Sequence, residues 1–209
     1  MTEDDRFVAY HEAGHVVRLL ALTEDLGETF TYVTINPDED RGSLGHVRLE
    51  PIGRTDPSCF DFDLPDDVNE EGAGFTQRSL EARLSCNLAG EAATFVKFGI
   101  RDEVGTGRED WCGDYKDCMD YLESIFRVGD EVKSAGAEAA NHYLEALYWR
   151  TVLFLMQPPW WENVEAIADA LIERRTLTYQ ECQEIFYSDK LTQGNGANCH
   201  QDGSDRVVD

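Results

Sequence analysis

The feature that most constrains the fold of this chain is a segment near its start in which apolar residues recur with helical periodicity. The same segment carries two histidines. Between residues 4 and 22 the apolar and aromatic positions recur with about the 3.6-residue period of an α-helix. His11 and His15 lie beside this stripe and are four residues apart. Because residues four apart lie on one face of a helix, the two imidazoles are predicted to lie side by side, one turn apart.

Residues 11–15 form the pattern His-Glu-x-x-His, which on a helix has a specific chemical use. Two imidazoles one turn apart are ready ligands for Zn²⁺, and Glu12 is placed to accept a proton from a water molecule at such a metal. The pattern predicts that His11 and His15 bind a metal and that Glu12 is a catalytic general base. The structural alternative, which residue types leave open, is two partly buried histidines without a metal.

A catalytic zinc site also needs a third protein ligand and an open position for water. Asp114 is the preferred candidate, because it follows a glycine-containing loop at the predicted start of a helix with apolar positions. Asp110 is the alternative third ligand, and Glu91, on the next predicted helix after the strands, is a more distant one. His46 falls on a predicted strand, where we expect a structural or exposed role.

The charge of the chain argues against two classes of partner. It has 18 basic and 42 acidic residues, a net charge of −24, which would repel a nucleic-acid backbone or an anionic membrane surface. There is no run of about 18 apolar residues and no basic, apolar leader at the start. Six cysteines without a Cys-x-x-Cys spacing are typical of reduced thiols. We expect a cytoplasmic protein that binds neither nucleic acid nor membrane.

The length and the element pattern favour one mainly α domain. At about 150 residues per domain, 209 residues accommodate one core with insertions. Two extended segments, residues 30–35 and 43–49, flank a turn-rich stretch and predict a β-hairpin. Residues 51–74 are expected to be an exposed loop insertion, and residues 188–209 a flexible polar tail. Apolar periodicity predicts further helices over residues 80–99, 114–125, 141–156, 161–174 and 179–186.

Several segments follow one another in the order found in a known enzyme family. Residues 10–17 read Tyr-His-Glu-Ala-Gly-His-Val-Val, and the extended residues 32–37 and a Gly-Ser-Leu-Gly at 42–45 follow. Leucines and small residues are concentrated in 84–99, and residues 163–177 close the series. In this order they resemble the active-site helix, the next strand, the substrate-side strand, the leucine-rich helix and the closing helix of FtsH-type ATP-dependent zinc metalloproteases.

The resemblance spans most of residues 7–187 and implies a zincin-like fold with a zinc ion, whose third ligand is an aspartate of the loop after residues 105–107. In that family the aspartate follows the glycine of a Thr-Gly by four residues, whereas Trp111 has that place here. Asp114 requires a three-residue insertion and Asp110 a one-residue deletion, and we favour the insertion. The family's ATPase module and membrane anchor are not expected, since the active-site helix begins almost at the first residue.

Together these inferences predict a helical, zincin-like metallopeptidase domain over residues 1–187, with a small β-hairpin or short sheet and Zn²⁺ as cofactor. The expected substrate is a flexible peptide or an unfolded protein segment, which would pair with the extended residues 43–49. A homo-oligomer or a separate adaptor is a further partner that the sequence does not specify. The alternative from a different class is a non-catalytic, metal-stabilised interaction domain that keeps the peptidase fold.

Overall fold

The computed structural model shows a mainly helical protein with one small sheet, which confirms the predicted fold class. It describes residues 3–22, 29–38, 43–49, 80–100, 114, 117–119, 122 and 133–194. The helices are α1 (Glu3–Ala21), α2 (Ala89–Phe98), α3 (Lys133–Leu155), α4 (Trp160–Arg174) and α5 (Tyr179–Gly194). The strands are β1 (Phe30–Thr34), β2 (His46–Leu49) and β3 (Thr176–Thr178). Residues 80–87 form a further helical segment, separated from α2 by a turn at Leu88.

Helix α1, which carries the His-Glu-x-x-His pattern, is the central element because it packs along both α2 and α4. Val16 of α1 and Ile167 of α4 are fully buried, and burial of each such side chain contributes roughly 1.5–3 kcal/mol. Gly14 allows α2 to approach closely, since a Cβ there would lie 2.3 Å from the carbonyl oxygen of Ala89. The motif therefore lies on a helix that is held from two sides.

The three strands form one antiparallel sheet in the order β2-β1-β3. Val33 of β1 lies opposite Val47 of β2 and Leu177 of β3, so that these apolar side chains share one face. A bridge between Asp38 and Ser43 continues the β1–β2 pairing towards the turn. The predicted β-hairpin is confirmed, and β2 lies at one edge of the sheet that the described residues form.

The turn between α4 and β3 ties the sheet to α1. Arg175 has a left-handed φ of 64°, and its amide donates to the carbonyl oxygen of Leu171 to end α4. Its guanidinium donates to the side chain of Asn36 at 2.7 Å and to the carbonyl oxygen of Ile35 at 3.1 Å. It also pairs with Asp5 of α1 at 3.2 Å. These bonds connect the end of β1 to the first turns of α1.

The third strand and the start of helix α3 differ from the sequence prediction. The prediction contains no third strand, because the three residues of β3 are too few to show an alternating pattern. Helix α3 begins at Lys133, eight residues before the predicted start at 141. The added turns are rich in alanine, which favours a helix without producing an apolar stripe.

The last helix is also longer than predicted. Helix α5 continues to Gly194, past the predicted end at 186 and into the predicted tail. The predicted loop insertion, residues 51–74, lies outside the described residues, and the division into a domain over 1–187 and a tail over 188–209 stays a prediction. Among the helices that the structure describes, none combines the length and apolar character needed to cross a bilayer.

Candidate metal centre

Helix α1 brings two imidazoles together, and an aspartate from a distant part of the chain joins them. The Nε2 atoms of His11 and His15 lie 3.0 Å apart, as the spacing of four residues predicts. Oδ2 of Asp114 lies 3.2 Å from each of these nitrogens. Within the part of the chain that the structure describes, these three residues form the group of side chains able to hold a metal ion.

Asp114 is placed by the packing of its own helical segment. The described residues of this segment, 114, 117–119 and 122, are all helical. Cys118 and Leu122, four and eight residues after the aspartate, are fully buried. The thiol of Cys118 also contacts the carbonyl oxygen of Leu84 at 3.9 Å. Because residues four apart share a helix face, this buried stripe directs the carboxylate towards α1.

The spacing of the three atoms fits a small tetrahedral metal ion. Zinc binds imidazole nitrogen at about 2.0–2.1 Å, which in a tetrahedron puts neighbouring ligand atoms about 3.3 Å apart. The observed separations of 3.0, 3.2 and 3.2 Å are close to that value. Three protein ligands leave one tetrahedral position for water or substrate, and the Asp114 side chain is 37% exposed.

Gly90 of α2 packs directly against the two imidazoles and leaves no room for a side chain. A Cβ at this position would lie 2.4 Å from Nε2 of His15 and 2.6 Å from Nε2 of His11. A methyl group would clash with both rings at these distances, so glycine at this position allows the two imidazoles to keep their places. The donor set of two imidazole nitrogens and one carboxylate oxygen suits Zn²⁺.

Electrostatics at the group favour a positive charge among the three side chains. Burial disfavours the charged form of His15, but the carboxylates of Asp114 and Glu12 raise the pKa of His15 to about 9. Burial also acts to raise the pKa of Asp114, but the two imidazoles hold it well below its usual range. A divalent cation bound among these atoms would take the place of the proton on His15 and would carry a larger positive charge.

A main-chain carbonyl orients one of the imidazoles. Nδ1 of His15 donates to the carbonyl oxygen of Cys86 at 2.7 Å. Since a carbonyl can only accept, this bond leaves the lone pair of neutral His15 on Nε2, the atom that faces His11 and Asp114. The thiol of Cys86 is free and buried, burial raises its pKa to about 12, and the sulfur is not part of the group of side chains able to hold a metal.

Glu12 lies next to the metal-binding group, buried on α1 at 5% exposure. Burial raises the pKa of its carboxyl, although the neighbouring histidines oppose the shift. A raised pKa suits a group that accepts and returns a proton near neutral pH. The start of the edge strand is close, since a Cβ at Gly45 would lie 2.9 Å from Oε1 of Glu12 and 2.6 Å from the side chain of Val8.

The predicted ligands His11, His15 and Asp114 therefore lie together. Among the described residues, no alternative ligand joins this group. Asp110, the alternative third ligand, lies outside the described residues. Glu91 is half-buried on α2 and is not part of the group. Nε2 of His46 lies 3.4 Å from the hydroxyl of Tyr32, which is a contact within the sheet. The roles of the converging residues in metal binding and catalysis stay predictions.

Three contributors to the centre were missed by reasoning from sequence. Gly90 and Gly45 matter because they lack a side chain, and Cys86 acts through its main chain. Residues 88–93, Leu-Ala-Gly-Glu-Ala-Ala, are rich in small residues, which is a signal for close helix packing and could have indicated Gly90. A carbonyl group has no signature in residue type, so the contact with Cys86 had no signal.

Comparison with known proteins gives one informative likeness. No family model matches the chain. The chain is 25% identical, over 210 residues, to the ATP-dependent zinc metalloprotease FtsH of Thermus thermophilus. The match covers 87% of this chain and 29% of that relative, so the chain spans less than a third of the relative's length. This likeness supports a distant relationship to a zinc metalloprotease.

Proposed function

We propose that this chain is a zinc-dependent metalloendopeptidase that hydrolyses flexible peptides or unfolded protein segments. The observation that carries the proposal is the convergence of Nε2 of His11, Nε2 of His15 and Oδ2 of Asp114 within 3.2 Å of one another. A buried carboxylate, Glu12, stands next to this group on the same helix. The distant likeness to a zinc metalloprotease supports the same reaction class.

His11, His15 and Asp114 would hold the ion. When bound in such a site, zinc polarises the scissile carbonyl and lowers the pKa of a water molecule. The hydrogen bond from His15 to the carbonyl oxygen of Cys86 keeps that imidazole in the orientation a metal ligand needs. The exposed part of Asp114 supports access for a substrate from the solvent side.

Glu12 would move the proton. Its carboxylate accepts a proton from the attacking water and then donates it to the amine nitrogen that leaves when the peptide bond breaks. Burial, which raises its pKa, makes both transfers feasible near neutral pH. A glutamine at this position would keep the shape but could not take the proton.

The edge of the sheet suggests how a substrate would be held. Strand β2 lies at one edge of the described sheet, and Gly45 just before it lies against Glu12. An extended peptide that adds to this edge would run past the catalytic carboxylate. Because strand addition needs an extended backbone, we propose that the substrate is already unfolded and that the domain over 1–187 acts on such segments.

The experiment is a cleavage assay with zinc-loaded protein and casein, a substrate with little fixed structure, followed through the release of new amino groups. We expect cleavage that a chelator abolishes and added zinc restores. The matched control is Glu12→Gln, which should keep its zinc and lose activity by about 10²–10⁴-fold, the range for a general base.

Two results would contradict the proposal. Cleavage that survives in the Glu12→Gln protein would show that another group, or another protein, performs the hydrolysis. Full zinc content without any cleavage by the wild-type protein would favour the non-catalytic, metal-stabilised interaction domain instead. A homo-oligomer or an adaptor stays part of the hypothesis, which measurement of the molar mass in solution would test.

A further inference from the structure

A second contact lies next to the one that orients His15. His15 and Arg18 are three residues apart on α1, so they share a helix face. Nδ1 of His15 donates to the carbonyl oxygen of Cys86 at 2.7 Å, and Nε of Arg18 donates to the hydroxyl of Ser85 at 2.9 Å. Helix α1 is therefore bonded to two consecutive residues of the helical segment 80–87, Ser85 and Cys86.

The hydroxyl of Ser85 is itself fixed in direction. It is buried, and it donates its proton to the carbonyl oxygen of Ala82 at 2.7 Å, which leaves a lone pair for Arg18. On its other side the guanidinium carbon of Arg18 lies 4.3 Å from the ring centre of Phe154. The arginine thus joins α1, segment 80–87 and α3 beside His15.

We propose that Arg18 and Ser85 are positioning residues for His15, because they fix the segment whose carbonyl oxygen holds the imidazole. The inference rests on the metal site proposed above. The acceptor belongs to the main chain of Cys86, so its position depends on what holds that segment in place. The bond between Arg18 and Ser85 is the side-chain contact one residue away, between the same two helical elements.

Loss of the bond between Arg18 and Ser85 is expected to lower the affinity for the metal more than the stability of the fold. Without the Arg18 to Ser85 bond, the segment loses its side-chain contact nearest to Cys86, and we expect the carbonyl of Cys86 to shift and to hold His15 less firmly. Loss of a hydrogen-bond partner behind a metal-binding histidine typically lowers affinity about 10- to 100-fold. A residue that only fills space would change the melting temperature and leave the imidazole as it was.

The test uses three variants of the full chain and one matched control. Ser85→Ala removes the acceptor, Arg18→Met removes the donor while keeping an apolar stem against Phe154, and Arg18→Lys restores a donor. The control is Thr151→Val, because the hydroxyl of buried Thr151 also donates to a main-chain carbonyl, at 2.9 Å, but within α3. Zinc affinity is measured by competition with a chromophoric chelator, and the His15 ring nitrogens by NMR of the zinc-loaded protein.

We expect Ser85→Ala and Arg18→Met each to lower zinc affinity by about tenfold, the lower end of the range for losing the partner of a metal-binding histidine, and to alter the Nδ1 signal of His15. The double variant should lose no more than either single one, since both changes break the same bond. Arg18→Lys should recover part of the loss, and Thr151→Val should bind zinc as the wild-type protein does.

Wild-type zinc affinity and an unchanged His15 signal in both single variants would overturn the inference and leave the metal site standing. An equal loss of affinity in Thr151→Val would also overturn it, because the effect would then be general destabilisation. A wild-type protein that binds no zinc would overturn the metal site and this inference together.

Discussion

Replacing Gly90 with alanine tests the proposed metal site without changing any of its ligands. The substitution adds one methyl group on α2, opposite the motif of α1. That methyl carbon would lie 2.4 Å from Nε2 of His15 and 2.6 Å from Nε2 of His11. It would therefore push both imidazoles out of the positions in which their Nε2 atoms converge.

The size of the effect follows from these distances. Ordinary contact begins at 3.4 Å, so the rings of His15 and His11 would have to retreat by about 3.4 − 2.4 = 1.0 Å and 3.4 − 2.6 = 0.8 Å. Zinc ligand distances tolerate about 0.2 Å. We expect zinc affinity to fall at least about 100-fold, which corresponds to roughly 2.7 kcal/mol. The crowding is expected to lower the free energy of unfolding by about 1–3 kcal/mol, and the better helix propensity of alanine offsets part of this loss.

The assay is a competition titration with zinc, combined with thermal unfolding with and without the metal. Gly99→Ala is the matched control, because it makes the same chemical change at the end of the same helix. A Cβ at Gly99 has no atom within 4 Å, although its φ of 69° makes alanine unfavourable by about 1 kcal/mol. The control should lose some stability and keep its zinc affinity.

Wild-type zinc affinity in Gly90→Ala would refute this reasoning, since zinc binding would then not depend on the observed positions of the two imidazoles. Equal losses of affinity in Gly90→Ala and Gly99→Ala would refute it as well, because the cause would be helix strain. A folded Gly90→Ala protein without zinc-induced stabilisation is the predicted result.

Three further predictions concern the ligands, the pH and the edge strand. Asp114→Asn should weaken zinc binding at least about tenfold while Asp110→Asn leaves it unchanged, and the reverse result in a competition titration would make Asp110 the third ligand. Because the pKa of metal-free His15 is about 9, zinc must displace a proton at neutral pH. Affinity should therefore rise about tenfold per unit between roughly pH 6 and 8, and titrations that give a constant affinity would contradict this. Gly45→Ala, which crowds Glu12, should lower casein cleavage with full zinc content, and unchanged cleavage would argue against a close edge strand.

The sequence predicts those parts of the fold that repeat within one element. Helix α1 and the β1–β2 hairpin follow from periods of 3.6 and 2 residues, and their bounds agree with the structure to within a few residues. The same local pattern is enough for His11 and His15, since their separation is fixed by the helix itself. Strand β3 depends on pairing with β1, more than 140 residues away in sequence, and so has no local signature.

The remaining features of the centre arise from packing between elements. Asp114 could be ranked above Asp110 only through the helix that follows it, and its place beside the imidazoles depends on the burial of Cys118. Gly90 matters because α2 packs against α1 so closely that a side chain at this position would meet the two imidazoles. Such contacts join residues that are far apart in the chain, and spacing along the sequence does not encode them.

The central claim is that one zinc ion binds among the two histidines of α1 and Asp114. X-ray absorption at the zinc edge of the loaded wild-type protein, paired with elemental analysis of His15→Ala, measures this most directly. The account predicts one zinc per chain with two imidazole ligands and oxygen at about 2.0–2.2 Å, and loss of the ion in His15→Ala. A sulfur ligand at about 2.3 Å, or full zinc content in His15→Ala, would contradict it.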